Sequence, residues 1–373
     1  MSSSQEICNW LRLANTDGIG AITFTKLLRN YGSVADVLCV LEKNGKIIPS
    51  QFWAEDQLAN AEQQNINIIL KQDDIYPQKL KSLRDAPPIL YAKGNLSLIS
   101  LSPSVAIVGS RNASLNARHL TSEIAFDLTE KHILVISGMA RGIDSASHLG
   151  ALEALEHNGP TIAILGTGVD VIYPPENHDL YQRIAKQGLL LSELPLGSSA
   201  VGSSFPRRNR IISALSDGVL VSEASEKSGS LITAHFAIEQ NKILFAIPGS
   251  PSDPRSAGPN RLLRAGAHMV ENADDIIKVI NTAPADNSLK ELPNFSADLF
   301  TMPLDNSPKT TNIPTDRKLE IEEFLSTDAV DIDELIRASG LDTATVMMQI
   351  VDLELKGQVM RLPGNKISLN GKK

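Results

Sequence analysis

Cysteine is nearly absent from this sequence. Cys8 and Cys39 are the whole supply, with no partner spacing that suggests a metal site. Both lie among apolar residues, which predicts reduced thiols in a packed N-terminal core. Aromatic residues are scarce as well, at 4% of the chain, which argues against a surface that holds single strands purely by ring stacking. Positive charge is short overall. The 35 Lys and Arg face 43 Asp and Glu, a net −8, which argues against a generally basic coat but leaves room for a local basic groove. No apolar run approaches the roughly 20 residues that span a bilayer. The opening MSSSQEICNW also has no basic stretch ahead of an apolar one, so no signal peptide is expected and the protein reads as cytoplasmic.

What is present divides into blocks, and 373 residues leave room for two or three domains. Residues 1–70 repeat apolar positions at helical spacing, among them Trp10, Leu11, Leu13, Phe24, Leu27, Leu28, Val34, Val37 and Leu38. Gly18-Ile19-Gly20 falls between two of these helices. It reads either as the phosphate-gripping turn of a helix-hairpin-helix or SAM-like domain, or as a tight connection. Residues 71–280 form the main block. It opens on an extended connector, 71–103, stiffened by Tyr76-Pro77 and Ala86-Pro87-Pro88. Apolar runs at 105–108, 133–136, 161–165, 189–191, 219–221 and 243–247 then alternate with helical stretches at 116–130, 143–155, 207–215 and 230–240. Runs apolar on both faces are parallel strands covered on each side, so the rhythm predicts an α/β fold with an extended Rossmann-like parallel sheet. Residues 281–316 scatter five prolines among Asn, Asp, Ser and Thr, the composition of a linker. Residues 317–373 return to order as three helices, the first marked by Leu319, Ile321 and Leu325, and a hairpin: a winged-helix domain.

Ligands of open parallel sheets bind beyond the carboxyl ends of the strands. Those ends carry Gly109-Ser110-Arg111, then Gly138 and Arg141 within SGMARGID, then Gly166-Thr167-Gly168, then Lys227-Ser228-Gly229-Ser230 at the start of a helix. Glycine admits close backbone approach, hydroxyls donate hydrogen bonds, and Arg and Lys supply charge, which together make a phosphate-binding edge. Neither G-x-G-x-x-G nor G-x-x-x-x-G-K-[ST] occurs, so standard dinucleotide binding and Walker-type hydrolysis are not expected, nor is any cofactor.

The most basic segment is Phe205-Pro206-Arg207-Arg208-Asn209-Arg210, three arginines in four positions. Helical spacing puts Arg207 and Arg210 on one face and Arg208 elsewhere; the segment binds phosphates or is merely a solvated helix end. The seven histidines form no metal or catalytic pattern and are read as structural. Glu193, Glu223 and Glu239 lie nearest the strand-end edge, where capping or arginine neutralisation explains them as well as acid–base work does. The C-terminal region 281–373 holds ten basic and fifteen acidic residues. Its presumed recognition helix carries Asp342, Asp352 and Glu354 against Lys356, a surface that repels DNA and suits protein contact or packing.

These stretches resemble the DNA processing protein A family (DprA, also called Smf). The resemblance runs through VAIVGSRNAS at 105–114, SGMARGID at 137–144, GTGVDVIYPPEN at 166–177, FPRRNRIIS at 205–213, SGSLITA at 228–234 and AIPGSPSDPRSAGPNRLLRAGA at 246–267. It implies a cytoplasmic, dimeric, non-enzymatic protein that binds single-stranded DNA during natural transformation and helps load RecA recombinase, without a nucleotide cofactor. It also implies a DNA-binding pocket at Ser110 and Arg111, extended to Arg141, Arg207, Arg210 and Lys227. With the glycine and serine loops and Arg208, the expected phosphate-binding set is Gly109, Ser110, Arg111, Gly138, Arg141, Arg207, Arg208, Arg210, Lys227, Ser228, Gly229 and Ser230. Phe205 is a candidate base contact, and Ile276, Ile277 and Val279 seal either a dimer or a core. The competing reading is a phosphoribohydrolase-like enzyme acting on a small nucleotide, with Ser228-Gly229-Ser230 and Glu239 as its site.

Overall fold

Four helices open the chain: α1 (Ser4–Ala14), α2 (Ala21–Tyr31), α3 (Val34–Lys43) and α4 (Gln51–Gln63). The computed structural model describes residues 2–157, 159–282 and 320–370. Serine caps start three of these helices, with Ser3, Ser33 and Ser50 accepting from the backbone N–H groups of Glu6, Asp36 and Trp53. Trp10 and Phe24 stack at 4.9 Å in the core between them. Cys8 is buried there, and burial pushes its thiol pKa up. Cys39 is exposed, which corrects the expectation of two core thiols. Adjacent helical positions point about 100° apart, and on α3 Val37 and Leu38 take the inward side.

A nine-stranded sheet follows. Its strands are β1 (Ile66–Leu70), β2 (Ile89–Gly94), β3 (Ser104–Val108), β4 (Leu134–Ser137), β5 (Thr161–Ile164), β6 (Leu189–Ser192), β7 (Gly218–Val221), β8 (Ile243–Ala246) and β9 (His268–Met269). The helices among them are α5 (Gln78–Lys81), α6 (Leu115–Glu130), α7 (Ile143–His157), α8 (His178–Gln187), α9 (Ser204–Leu215), α10 (Ser230–Glu239), α11 (Ala257–Arg264) and α12 (Ala273–Thr282). Strand order is β1-β2-β6-β5-β4-β3-β7-β8-β9, parallel from β6 to β9, with β1 and β2 antiparallel at one end. The antiparallel pair departs from the expected pattern. Residues 66–70 continue the helical block by position, yet the β-branched run Ile-Asn-Ile-Ile-Leu forms an edge strand, and the connector supplies its neighbour.

Strands β3 to β7 are buried along their whole length, as cover on both faces requires. Ile211, Ile212 and Leu215 of α9 bury against the sheet, each stabilising the fold by roughly 1.5–3 kcal/mol. The helix starts at Ser204 rather than at 207, because Pro206 falls in the first turn, where a missing N–H costs nothing. The N-terminal helices share a core with the sheet edge, joining Trp10 and Phe24 to Tyr91, Leu190 and Ile184. Ile276 of α12 is fully buried in the core on that face of the sheet, and Ile277 and Val279 pack partly buried against the same cluster.

The C-terminal unit is a small three-stranded sheet, order β10-β12-β11, from β10 (Val330–Asp331), β11 (Val359–Leu362) and β12 (Lys366–Leu369), with α13 (Ile332–Ser339) and α14 (Thr343–Leu355) packed on it. This is the winged helix. Its first expected helix is a single 3-10 turn, Ile321–Phe324, and Leu319 lies outside the described residues. The linker assigned to 281–316 lies outside them too, except for positions 281 and 282, which end α12. No helix among the described residues is long and apolar enough to cross a membrane.

Candidate nucleic-acid interface

The chain winds outwards from β3 through β4, β5 and β6, then returns to lay β7 on the other side of β3. At such a reversal the loops beyond neighbouring strands part and leave a crevice at their carboxyl ends. A cavity of about 510 Å³ opens there. It is lined by Gly109, Ser110, Arg111 and Asn112 after β3, and by Ala140, Arg141 and Asp144 after β4. Phe205, Arg208 and Asn209 of α9 and Ser228, Gly229, Ser230 and Thr233 around the start of α10 complete it.

The loops interlock through close backbone approach. Gly142 has φ +76°, and a Cβ on it would sit 2.3 Å from the Ser110 carbonyl oxygen, so only glycine lets the two loops touch. A Cβ on Gly138 would meet the Arg208 guanidinium and the Asp144 carboxylate, each at 2.6 Å. Asn177, from the segment after β5, donates to the Met139 carbonyl oxygen and the Ser145 hydroxyl at 2.9 Å and fixes the β4 loop from behind.

Arg208 is buried, and its guanidinium donates to the carbonyl oxygens of Gly138 and Ile164. Burial pulls its pKa down to about 10, Asp144 opposes the fall and Arg111 adds to it, so the group is charged at neutral pH. Burial raises the pKa of Asp144 above the usual carboxylate range against the pull of Arg208 and an N–H from Ala140. Arg111 stands at the mouth with its guanidinium 5.5 Å from the Phe205 ring centre, and Tyr173 packs against that ring at 5.3 Å. Arg141 lies 3.7 Å from Glu176, with both side chains half exposed. Three guanidinium groups against one carboxylate make the lining positive. Thr233 lines the cavity, and its hydroxyl is buried with no hydrogen-bond partner among the described residues.

Eight of the twelve expected residues line the cavity: Gly109, Ser110, Arg111, Arg141, Arg208, Ser228, Gly229 and Ser230. Gly138 lies just beneath it. Lys227 is exposed outside the lining. Arg210 is buried elsewhere, its Nε 2.7 Å from Asp85 and its Nη2 2.8 Å from Glu193, a staple between α9 and the connector. Arg207, half exposed, leans on the same Glu193 at 3.4 Å.

The carboxylates are engaged structurally. Glu223 accepts from the Ser114 N–H at 2.9 Å and hydroxyl at 2.6 Å, closing the start of α6. Glu239 faces His235 at 3.1 Å along α10. His148 is fully buried beside Thr161 at 2.8 Å, and burial, then Arg208, push its pKa down to about 3. No histidine among the described residues lines the cavity.

The family model described as DNA recombination-mediator protein A matches residues 67–281, the whole span of the sheet and its loops. The chain belongs to that family. A DprA winged helix domain matches residues 306–365, and a DprA-like N-terminal HHH domain matches 4–47. Among relatives, Protein Smf of Escherichia coli (strain K12) is 34% identical over 84% of this chain and 80% of its own. The solved structure of DNA processing protein A from Streptococcus pneumoniae superposes with a TM-score of 0.63 and 35% identity, covering 74% of this chain and 98% of that one. A structure of DNA processing protein A from Helicobacter pylori, which addresses the single-stranded DNA binding mode of that protein, superposes with a TM-score of 0.52 and 31% identity, covering 58% and 95%.

Within this family fold, sequence reasoning gave no role to Asn112, Asp144, Asn209 and Thr233. All four stand inside the quoted motif stretches, so their presence was visible while their direction was not. Asn209 holds the Gly229 carbonyl oxygen at 3.3 Å, tying the arginine segment to the serine loop.

Proposed function

We propose that this protein binds single-stranded DNA along the strand-end edge and acts as a recombination mediator that helps load RecA recombinase during natural transformation. The observation that carries the reading is the positive cavity at the sheet's switch point, with Arg111 set over Phe205. Guanidinium groups and loop donors suit a phosphate chain, and an aromatic ring beside them suits an unstacked base. Gly109, Ser110, Arg111, Arg141, Arg208 and the Ser228–Ser230 loop are the proposed contacts. Arg207 and Lys227 would join them only at the rim, and Arg210 would support the site from behind. The family and the Helicobacter pylori relative support the same choice.

The proposal includes a cytoplasmic homodimer with no catalytic step and no cofactor. It divides the chain at 1–70, 71–280, 281–316 and 317–373, with the first five-residue strand lent to the sheet. The nucleotide-enzyme reading needs Glu239 beside the cavity, but that side chain pairs with His235 and is not on the lining.

Titrating the full chain with a labelled single strand and with its duplex at two salt concentrations, with the mass measured on the same sample, tests the binding. Tight, salt-sensitive binding of the single strand is expected. Equal affinity for the duplex, or indifference to salt, would defeat it. Addition of the protein to RecA and strands coated with single-strand-binding protein should speed filament formation; an unchanged rate removes the loading role alone.

A further inference from the structure

The winged helix is seated against the same edge of the sheet domain. Leu115, the first residue of α6, is buried in the winged helix's own apolar cluster with Ile321, Phe324 and Leu335. Arg255 donates to the carbonyl oxygens of Leu325 and Glu323, and the Arg118 guanidinium lies 4.9 Å from the Phe324 ring centre. His119 reaches Glu334 at 2.7 Å, and Asn116 reaches the Ser326 hydroxyl at 3.5 Å. Between the two units lies a second cavity of about 1040 Å³. Ser110 and Asn112 line both cavities, so the two adjoin there.

Its charge is opposite. Asp253, Glu320, Glu322 and Glu323 stand on the second lining against one cation, Arg255, which Asp253 holds at 3.0 Å. The neighbouring Lys356 is engaged by Asp352 at 2.6 Å and feels the charges of Glu320 and Glu322, and Arg118 feels that of Glu323; the four carboxylates of the lining still outnumber these cations. A phosphate chain leaving the positive cavity past Ser110 and Asn112 therefore runs onto a carboxylate-rich wall supplied largely by the winged helix.

We propose that the docked winged-helix domain sets the length of strand the protein holds: a short segment binds in the first cavity, and a longer one binds fully only when the domain leaves its seat. The acidic edge acts by like-charge repulsion, and the contacts of Leu115, Arg118, His119 and Arg255 keep it in place. This rests on the reading of the first cavity as the strand's site.

The test compares dT oligomers of about six and about thirty nucleotides, lengths below and above a single binding groove. In the full chain, the triple substitution E320Q/E322Q/E323Q should tighten binding of the long oligomer about tenfold, as removal of several like charges predicts, and leave the short one unchanged. Asn116→Cys with Ser326→Cys, in a Cys39→Ser background, provides a lock. Oxidised, it should weaken the long oligomer relative to the same sample reduced, with no change for the short one. If the long oligomer ignores both changes, or both oligomers shift together, the length gate is wrong. Failure of the short oligomer to bind the unmodified chain would instead refute the site reading.

Discussion

Helix α9 carries three arginines in four positions, and its two sides use them for opposite ends. On the cavity side, Arg208 is a buried part of the lining, holding two backbone carbonyl oxygens while its charge faces Asp144. On the other side, Arg210 is closed between Asp85 and Glu193, and Arg207 leans on Glu193 from the solvent. One side sets its arginine in a cavity wall beside one carboxylate; the other closes its arginine between two. The lesson is that an arginine-rich segment is not itself a binding surface. Its partners on other elements decide, and those partners are residues 85, 138, 144, 164 and 193, between 14 and 125 positions away.

Breaking the doubly paired side should have the largest effect on stability. Arg210→Ala leaves Glu193 buried with half of its pairing gone and should cost roughly 3–5 kcal/mol in urea unfolding, while the folded fraction still binds single strands. A loss below about 1 kcal/mol would place this pair with ordinary surface bridges. Arg111→Ala should do the reverse. It should weaken single-strand binding by about 1–3 kcal/mol and flatten the salt dependence by about 0.7 in log–log slope, with unfolding shifted by less than about 0.5 kcal/mol. Intact affinity and slope would remove Arg111 from the phosphate contacts.

A third pair, at the opposite ends of the same strands, separates stability from binding altogether. Asp217 accepts from Lys79 at 2.8 Å, the Ser104 N–H at 2.9 Å and the Ser102 hydroxyl at 3.0 Å. Burial alone would raise its pKa, but the hydrogen bond and charge of Lys79 pull it below the usual carboxylate value. A carboxyl depressed by folding stabilises the protein above its unfolded pKa and loses that contribution as pH falls through the folded one. Asp217→Asn should therefore cost about 1–3 kcal/mol near neutral pH, and the gap from the parent should close in acid. A gap that stays constant down the pH scale would show that the charge is not responsible. The smallest effect belongs to Arg207→Ala, whose half-exposed bridge should be worth no more than about 0.5 kcal/mol. If that change lowers strand affinity as far as Arg111→Ala does, the division of α9 into two sides collapses.

Much of this was legible in the chain itself. The apolar runs marked every strand from β3 to β8 to within a residue or two, because strands buried on both faces carry an unbroken apolar signal. Seven cavity residues followed from the glycine loops at the strand ends and an eighth, Arg208, from the arginine segment. Arg210 did not separate from Arg208, since helical phase tells that two side chains diverge but not what each meets. Cys39 was misplaced for a similar reason: an apolar neighbourhood in sequence says little about which side of a helix is covered.

By itself, the sequence determined the local matters: the strands from β3 to β8, where backbone must approach backbone, and that positive charge gathers beside phosphate-sized loops. Each depends on neighbours a few residues apart, where covalent geometry and side-chain alternation suffice. Tertiary structure alone decided the strand order that opens the cavity between β3 and β7, the antiparallel addition of β1 and β2, and the fate of each α9 arginine. It also set Glu320, Glu322 and Glu323 on the lining of a cavity that Ser110 shares. Those outcomes turn on pairs such as Arg210 with Glu193, 17 residues apart, and Arg210 with Asp85, 125 apart. There packing and compensation of buried charge choose among arrangements that local preference leaves equal.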